Sequence, residues 1–274
     1  MLKTCLENVR AKCPLIHNIT IYVTVNDCAN ILLACGGSPI MADDIGEVED
    51  ITSLCGGLNI NIGTLNSRSI RSMFVAGKKA NELGHPVILD PVGAGASTLR
   101  TDTAHNLLEE IHFAVIRGNI SEIKCLALGG ATTKGVDADV ADCVTEDTLD
   151  SVIDFAKAFA EKTGAVIAIT GAIDIVADAQ HAYTIRNGVP TMSRITGSGC
   201  MLTAMTAAFI TASPDNLLEA TAASVCAMGL CGEQADARMV AEKAGTSSFR
   251  AYLIDSISNL DGETLERGAK YALR

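Results

Sequence analysis

Apolar runs of three to five residues, each closed by Gly, Pro or a polar residue, recur along the chain at 39–41, 58–62, 87–89, 113–116 and 166–169. Runs this short, bounded in this way, predict buried strands. Between them, stretches 23–34, 67–83, 103–111 and 149–162 carry apolar residues three and four apart, the pattern of amphipathic helices. Strands spaced by helices imply βαβ units. The expected fold class is therefore α/β, with a mostly parallel central sheet covered by helices on both faces. Residues 174–188 break the alternation with two short strands and no helix between them, which predicts a hairpin at the sheet edge. From Ser198 onward the pattern is almost entirely helical. No repeat, low-complexity tract or Pro/Ser-rich linker divides the chain, so one domain over residues 1–274 is expected. Segment 126–147 is polar, rich in Gly and Asp and long for a connection. It reads either as a mobile loop containing a short helix or as a lid.

Composition narrows the functions available. The 274 residues include 21 Lys+Arg against 32 Asp+Glu, a formal charge of −11 with the 5 His neutral, which argues against a basic nucleic-acid-binding surface. Aromatic residues are only 4% with no Trp, leaving few platforms for stacking single-stranded bases. Hydrophobic residues at 48% supply a sizeable core. No stretch approaches the ~20 apolar residues that span a bilayer. The N-terminus, MLKTCLENVRAKC, lacks the apolar core and cleavage site of a secretory signal. A cytoplasmic protein without membrane or nucleic-acid partners is expected. The ten cysteines, at 5, 13, 28, 35, 55, 125, 143, 200, 226 and 231, show no Cys-x-x-Cys or zinc spacing. Nine read as small buried hydrophobes in a reducing compartment. Cys200 is set apart by its position.

In an open parallel sheet, ligands bind beyond the carboxyl ends of the strands. Run 87–89 leads into Asp90-Pro91-Val92-Gly93-Ala94-Gly95, run 113–116 into Arg117-Gly118-Asn119, and run 166–169 into Thr170-Gly171. A carboxylate, a guanidinium and a hydroxyl thus share one rim, with glycines nearby that permit close backbone approach. Each alone is an ordinary turn or cap former; their joint occurrence points to a site.

The strongest local signal is Ile195-Thr196-Gly197-Ser198-Gly199-Cys200-Met201-Leu202, a glycine-containing loop running into a helix. Such a junction aims free backbone N–H groups and the positive end of a helix dipole at one point, which suits an anion. It is neither a Walker A loop nor a Gly-x-Gly-x-x-Gly fingerprint, because no Lys-Ser/Thr follows and Leu202 stands at the third glycine position. Cys200, in the first helical turn, fits a nucleophile, a weak base or a small residue near the cap. Asn119 and Glu122, three apart at the next helix start, form either a capping box with no chemical role or part of the rim. Asp90 and Glu122 together suit Mg²⁺ held through water.

Six blocks, in order and across nearly all the chain, resemble the hydroxyethylthiazole kinase family: Pro14-Leu15-Ile16-His17-Asn18-Ile19-Thr20, Val25-Asn26-Asp27-Cys28-Ala29-Asn30, Ser38-Pro39-Ile40-Met41, Asp90-Pro91-Val92-Gly93-Ala94, Arg117-Gly118-Asn119 with Glu122, and Ile195-Thr196-Gly197-Ser198-Gly199-Cys200. The resemblance implies a ribokinase-like fold and the ATP-dependent phosphorylation of 4-methyl-5-(2-hydroxyethyl)thiazole for thiamine synthesis or salvage. It implies that Arg117 and Thr170 contact ATP, with Asn119 on the same nucleotide side, and that Asp90 and Glu122 organise Mg²⁺ and the phosphates. Gly197, Ser198 and Gly199 would form the anion hole, Met41 and Gly197 would line the thiazole pocket, and Cys200 would face the substrate hydroxyl, making Cys200 and Asp90 the catalytic pair. A homotrimer with active sites at subunit interfaces is also implied. One departure is Ile21, which stands where the family commonly has a polar residue near the thiazole pocket.

Three other readings compete. A cysteine-nucleophile transferase would use Cys200 with His17 or His181 as base. A non-catalytic binding protein on the same fold would leave the rim carboxylates without a task. Another ribokinase-like enzyme, a small-alcohol kinase or one that repairs hydrated cofactors, would share the rim but not the His17 to Thr20 and Ser38 to Met41 blocks.

Overall fold

The computed structural model describes residues 1–129 and 143–274. One nine-stranded sheet runs through it in the order β2-β1-β3-β4-β5-β6-β7-β8-β9. Strands β1 (Leu15–Ile19), β2 (Ser38–Met41), β3 (Gly57–Asn61), β4 (Val87–Asp90), β5 (Val115–Asn119) and β6 (Val166–Thr170) are parallel. The predicted hairpin is present as β7 (Asp174–Ala177) and β8 (Ala182–Ile185), antiparallel to each other, with β7 antiparallel to β6. The expected α/β architecture is thus observed.

Helices cover both faces. On one lie α1 (Leu2–Lys12), α2 (Val25–Cys35), α8 (Ser198–Ala212), α9 (Leu217–Ala241) and α10 (Thr246–Asn259), which share a core with the sheet. On the other lie α3 (Val48–Leu54), α4 (Ser67–Glu82), α5 (Thr98–Glu110), α6 (Ile120–Leu128) and α7 (Leu149–Thr163). Helix α8 is buried on nearly every side, which explains why its sequence is apolar and small all round rather than striped. Fully burying one of its larger side chains, Phe209, contributes roughly 1.5–3 kcal/mol.

Period-two alternation fixes what the strand ends present. In β4, Val87 and Leu89 face the α4 side while Ile88 faces α8, so Asp90 points toward α8. The same parity puts Asn61, Arg117 and Thr170 on the α8 side of β3, β5 and β6. Register then brings them level, with Asn61 opposite Asp90 and Asn119 opposite Thr170. A slip of one residue would turn the whole set to the wrong face.

The stretch after Ser198 is almost entirely helical, as expected, and after α11 (Gly262–Gly268) it ends in β9 (Tyr271–Leu273), antiparallel to β8. Three sequence expectations need correction. The chain has a central strand, β1, that the apolar-run pattern does not reveal, because His17 and Asn18 interrupt it. Run 113–116 sits two residues early, so Arg117, Gly118 and Asn119 belong to β5 rather than follow it. Among the nine cysteines expected to be buried, Cys13 and Cys143 are exposed; all ten are free thiols. Of the segment 126–147, residues 126–128 complete α6 and Gly129 caps it at φ +71°. Residues 130–142 lie outside the described residues.

Candidate active site

Helix α8 starts directly over the strand-end rim. Gly197, its N-cap residue, has φ +85°, and a Cβ there would collide with Thr24 Cγ2, so the turn needs glycine twice over. No side chain caps this helix, unlike α4, α5 and α6, capped by Asn66, Ser97 and Asn119. Its first amides and dipole therefore face the space beyond the rim.

The Arg117 guanidinium packs against the same turn. Its Nη2 donates to Thr170 Oγ1 at 2.5 Å, and its Nη1 lies 3.7 Å from Asp90 Oδ1. A Cβ on Gly199 would stand 2.5 Å from Nη1. A fixed cation beside the positive end of a helix is an arrangement that suits an anion.

Asp90 is fully buried and does not line the cavity itself. Its Oδ2 accepts from Asn61 Nδ2 (2.9 Å) and from Thr203 Oγ1 (2.8 Å). Its Oδ1 has no hydrogen-bond partner among the described residues, and neither has Arg117 Nε. Burial raises the Asp90 pKa above the usual carboxylate range, opposed by Arg117, Thr203 and Asn61. Glu122 does line the cavity; its Oε1 accepts from the Gly93 amide and its Oε2 from the Asn119 amide, both at 2.8 Å. Asn119 Oδ1 accepts from the Glu122 amide in return (2.9 Å). The capping box is therefore real, and the same carboxylate also ties the Gly93 turn to the rim. Burial, then the nearby Asp90 charge, raise Glu122 to about 7.

Among the described residues no three His, Cys, Asp or Glu side chains converge to form a metal cage. Two adjacent carboxylates, one with an unmet oxygen, instead fit a hard cation that keeps most of its water and takes further oxygens from phosphates.

Cys200 is buried in the cavity wall. Burial, with Asp90 and Cys28 adding to it, pushes its thiol up to about 12, so at neutral pH it is a protonated thiol. Neither candidate histidine partners it: His17 spends both ring nitrogens on Thr52 Oγ1 and the Ala42 carbonyl, both at 2.9 Å, and His181 is exposed beside Asp178 at the β7–β8 turn.

The cavity holds about 950 Å³. Its lining includes Arg117, Asn119, Glu122, Thr170 and turn 197–200, and an apolar set, Val189, Pro190, Met192, Val225 and Met228, that forms an apolar slot between the segment after β8 and α9. Gly197, Ser198 and Gly199 all line it. Met41 does not. It ends β2, the edge strand, beside β1.

Three contributors are missing from the sequence pattern. Asn61 and Thr203 hold Asp90, and Asp174 lines the cavity with its Oδ1 accepting from the Gly171 amide at 2.8 Å. Burial raises Asp174 to about 7. Thr203 lies three residues after Cys200, a helical spacing that could have flagged it.

The sheet order, with helices on both faces, is that of the ribokinase-like fold. A ribokinase-like superfamily protein from Enterococcus faecalis V583 superposes with a TM-score of 0.62 over 94% of this chain and 89% of its own, at 11% identity. The sequence model of the hydroxyethylthiazole kinase family matches residues 6–263, and the chain belongs to that family. Hydroxyethylthiazole kinase of Clostridium acetobutylicum is 69% identical over 271 residues, 99% of each chain. The hydroxyethylthiazole kinase structure from Pyrococcus horikoshii OT3 superposes with a TM-score of 0.88, at 34% identity, over 100% of this chain and 98% of its own.

The raised Glu122 value carries a pH prediction. Its carboxyl binds a proton more tightly when folded, so its contribution to stability is present below about 4.5 and lost as pH rises through about 7. The charged form is the one that suits a cation. We expect kcat/KM to rise along an acid limb near pH 7. Glu122→Gln should abolish the limb and raise the melting temperature above pH 7, while Asp174→Asn leaves the limb in place. A limb near pH 4.5 in the wild type would contradict this.

Proposed function

We propose that this protein transfers the γ-phosphoryl group of ATP to the hydroxyl of 4-methyl-5-(2-hydroxyethyl)thiazole, giving the thiazole phosphate used in thiamine synthesis or salvage. One observation carries the reading: Arg117 and the uncapped α8 N-terminus converge on one point beside two buried carboxylates. Phosphoryl transfer through a loose transition state asks for positioning and charge neutralisation far more than for a base. An uncapped helix, a guanidinium and carboxylates meet that need.

The apolar slot takes the nucleotide base, and Arg117 with turn 197–200 takes its phosphates. Asp90 and Glu122 would hold Mg²⁺, which would supply positive charge to the phosphate oxygens. Arg117 and the 197–200 amides stabilise the charge that spreads over the transferring group. Thr170 holds Arg117 in place. Cys200, a neutral thiol at working pH, orients the acceptor hydroxyl.

The acceptor pocket is completed in a homotrimer, with Met41 of one copy at the cavity of the next. Tyr22, Val23, Leu33, Ile45 and Leu54, around α2, α3 and the end of β2, are exposed apolar side chains available for such contacts. Among the described residues no helix is long and apolar enough to cross a membrane. Free thiols throughout favour the reducing cytoplasm.

ADP release with hydroxyethylthiazole, pyridoxine and simple sugars side by side tests the reading; only the first should give strong turnover. In the same assay Cys200→Ala should keep a measurable fraction of turnover and Cys200→Asp should retain or exceed it. Complete loss in Cys200→Ala, or a covalent adduct on Cys200, would contradict the assignment.

A further inference from the structure

The apolar slot has one wall that secondary structure does not hold. The segment after β8 enters a short 3₁₀ helix, Pro190–Arg194, and its residues 187–190 and 192 line the cavity. They rest on α9, where Gly229, Gly232, Glu233 and Asp236 follow at i, i+3, i+4 and i+7 and so share one face. The two glycines set the approach: a Cβ on Gly229 would stand 2.7 Å from Asn187 Cβ, and one on Gly232 2.6 Å from Met192 Sδ.

The two carboxylates tie the wall down. Glu233 accepts on Oε1 from Asn187 Nδ2 (3.2 Å) and from the Gly188 amide (3.0 Å), and on Oε2 from Lys270 Nζ (2.8 Å). Asp236 Oδ1 accepts from Thr191 Oγ1 at 2.5 Å. Asn187 is held further by the Gly268 carbonyl (3.0 Å) and the Lys270 amide (2.7 Å), which links the wall to the segment leading into β9. Gly188, at φ +121°, adopts a backbone that other residues rarely reach. Neither Glu233 nor Asp236 lines the cavity.

We infer that Glu233 and Asp236 are positioning residues for the nucleoside half of the phosphoryl donor, acting through Asn187, Gly188 and Thr191 to fix the slot wall. This rests on the donor reading above. Ionised carboxylates give the wall charge-assisted hydrogen bonds, stronger than a neutral side chain would make. Their influence should end where the base ends, because the phosphates are held by other elements, β5, β6 and the start of α8.

The test compares, by calorimetry with Mg²⁺ present, the affinities of ATP and of inorganic tripolyphosphate, which has the phosphates and no base. In Glu233→Ala we expect ATP to bind about tenfold more weakly and tripolyphosphate within about twofold of wild type. Glu233→Gln, which keeps an acceptor for the Gly188 amide, should recover most of the loss. Asp236→Asn gives a second, milder variant that needs no cavity in the fold, and it should shift ATP alone. KM for ATP should rise in all three, with kcat and the acceptor KM unchanged. Equal weakening of both ligands, or no change in either, would overturn the inference. If wild type binds tripolyphosphate but gains nothing from the base, the inference falls and the donor site stands; if it binds neither, the donor reading falls and takes the inference with it.

Discussion

Asp90→Asn should lose turnover by on the order of 10³-fold while still folding. The substitution keeps size and shape but removes the charge that faces Arg117 Nη1 at 3.7 Å and leaves one acceptor where Asn61 and Thr203 both donate. Asp90→Ala is the harsher change. It strands the mostly buried guanidinium and two donors without a partner, and breaking a buried pair in this way costs about 3–5 kcal/mol. The two variants separate chemistry from architecture: steady-state kinetics should find both nearly inactive, and thermal melting should find only Asp90→Ala strongly destabilised. Wild-type turnover in well-folded Asp90→Asn would remove this residue from the mechanism.

Gly199→Ala should lower activity while leaving stability close to that of the wild type. In the first turn of α8, alanine is a better helix former than glycine by about 0.8–1.0 kcal/mol. Its Cβ, however, would stand 2.5 Å from Arg117 Nη1, 2.9 Å from Nη2 and 3.0 Å from Cζ. The guanidinium has little room to yield, since Thr170 and Asp90 hold it from the other sides. Displacing it pulls one of the two positive elements off the anion site, and misplacement of about 1 Å costs on the order of 10²-fold in rate. The expected variant melts at or near the wild-type temperature and turns over about a hundredfold more slowly. Unchanged activity would mean that the contact between Arg117 and α8 is incidental.

Much of this site is legible in the amino-acid sequence, for a physical reason. Parallel strands end at one rim, so residues scattered through the sequence at strand ends, Asp90, Arg117 and Thr170, become neighbours once the sheet forms. Asn61 obeys the same rule, but the apolar run continues to Ile62 and so conceals that β3 ends at Asn61. Strand order is another matter. Nothing local in Ser38-Pro39-Ile40-Met41 says that β2 takes the edge. Strand β1 hides behind two buried polar side chains whose needs are met only in the tertiary structure: His17 by Thr52 and Ala42, and Asn18 by the Ile16 carbonyl and Asn59. Strand β9 exists because β8 offers an edge to pair with, a long-range cause that its own three residues do not carry. The Cys200 thiol shows the limit of position as a guide. A helix N-terminus argues for a lowered pKa, yet burial beside Asp90 outweighs it and sends the value up to about 12.

The helix start at Gly197 is either where the moving phosphoryl group is held or it is not, and a crystal structure of the protein with Mg²⁺ and a non-hydrolysable ATP analogue answers this directly. The account predicts that the terminal phosphate oxygens accept from the backbone amides of residues 198–200 and from Arg117, with the base in the slot beside Met228. A terminal phosphate bound elsewhere, with those amides and Arg117 making no contact to it, would contradict the account.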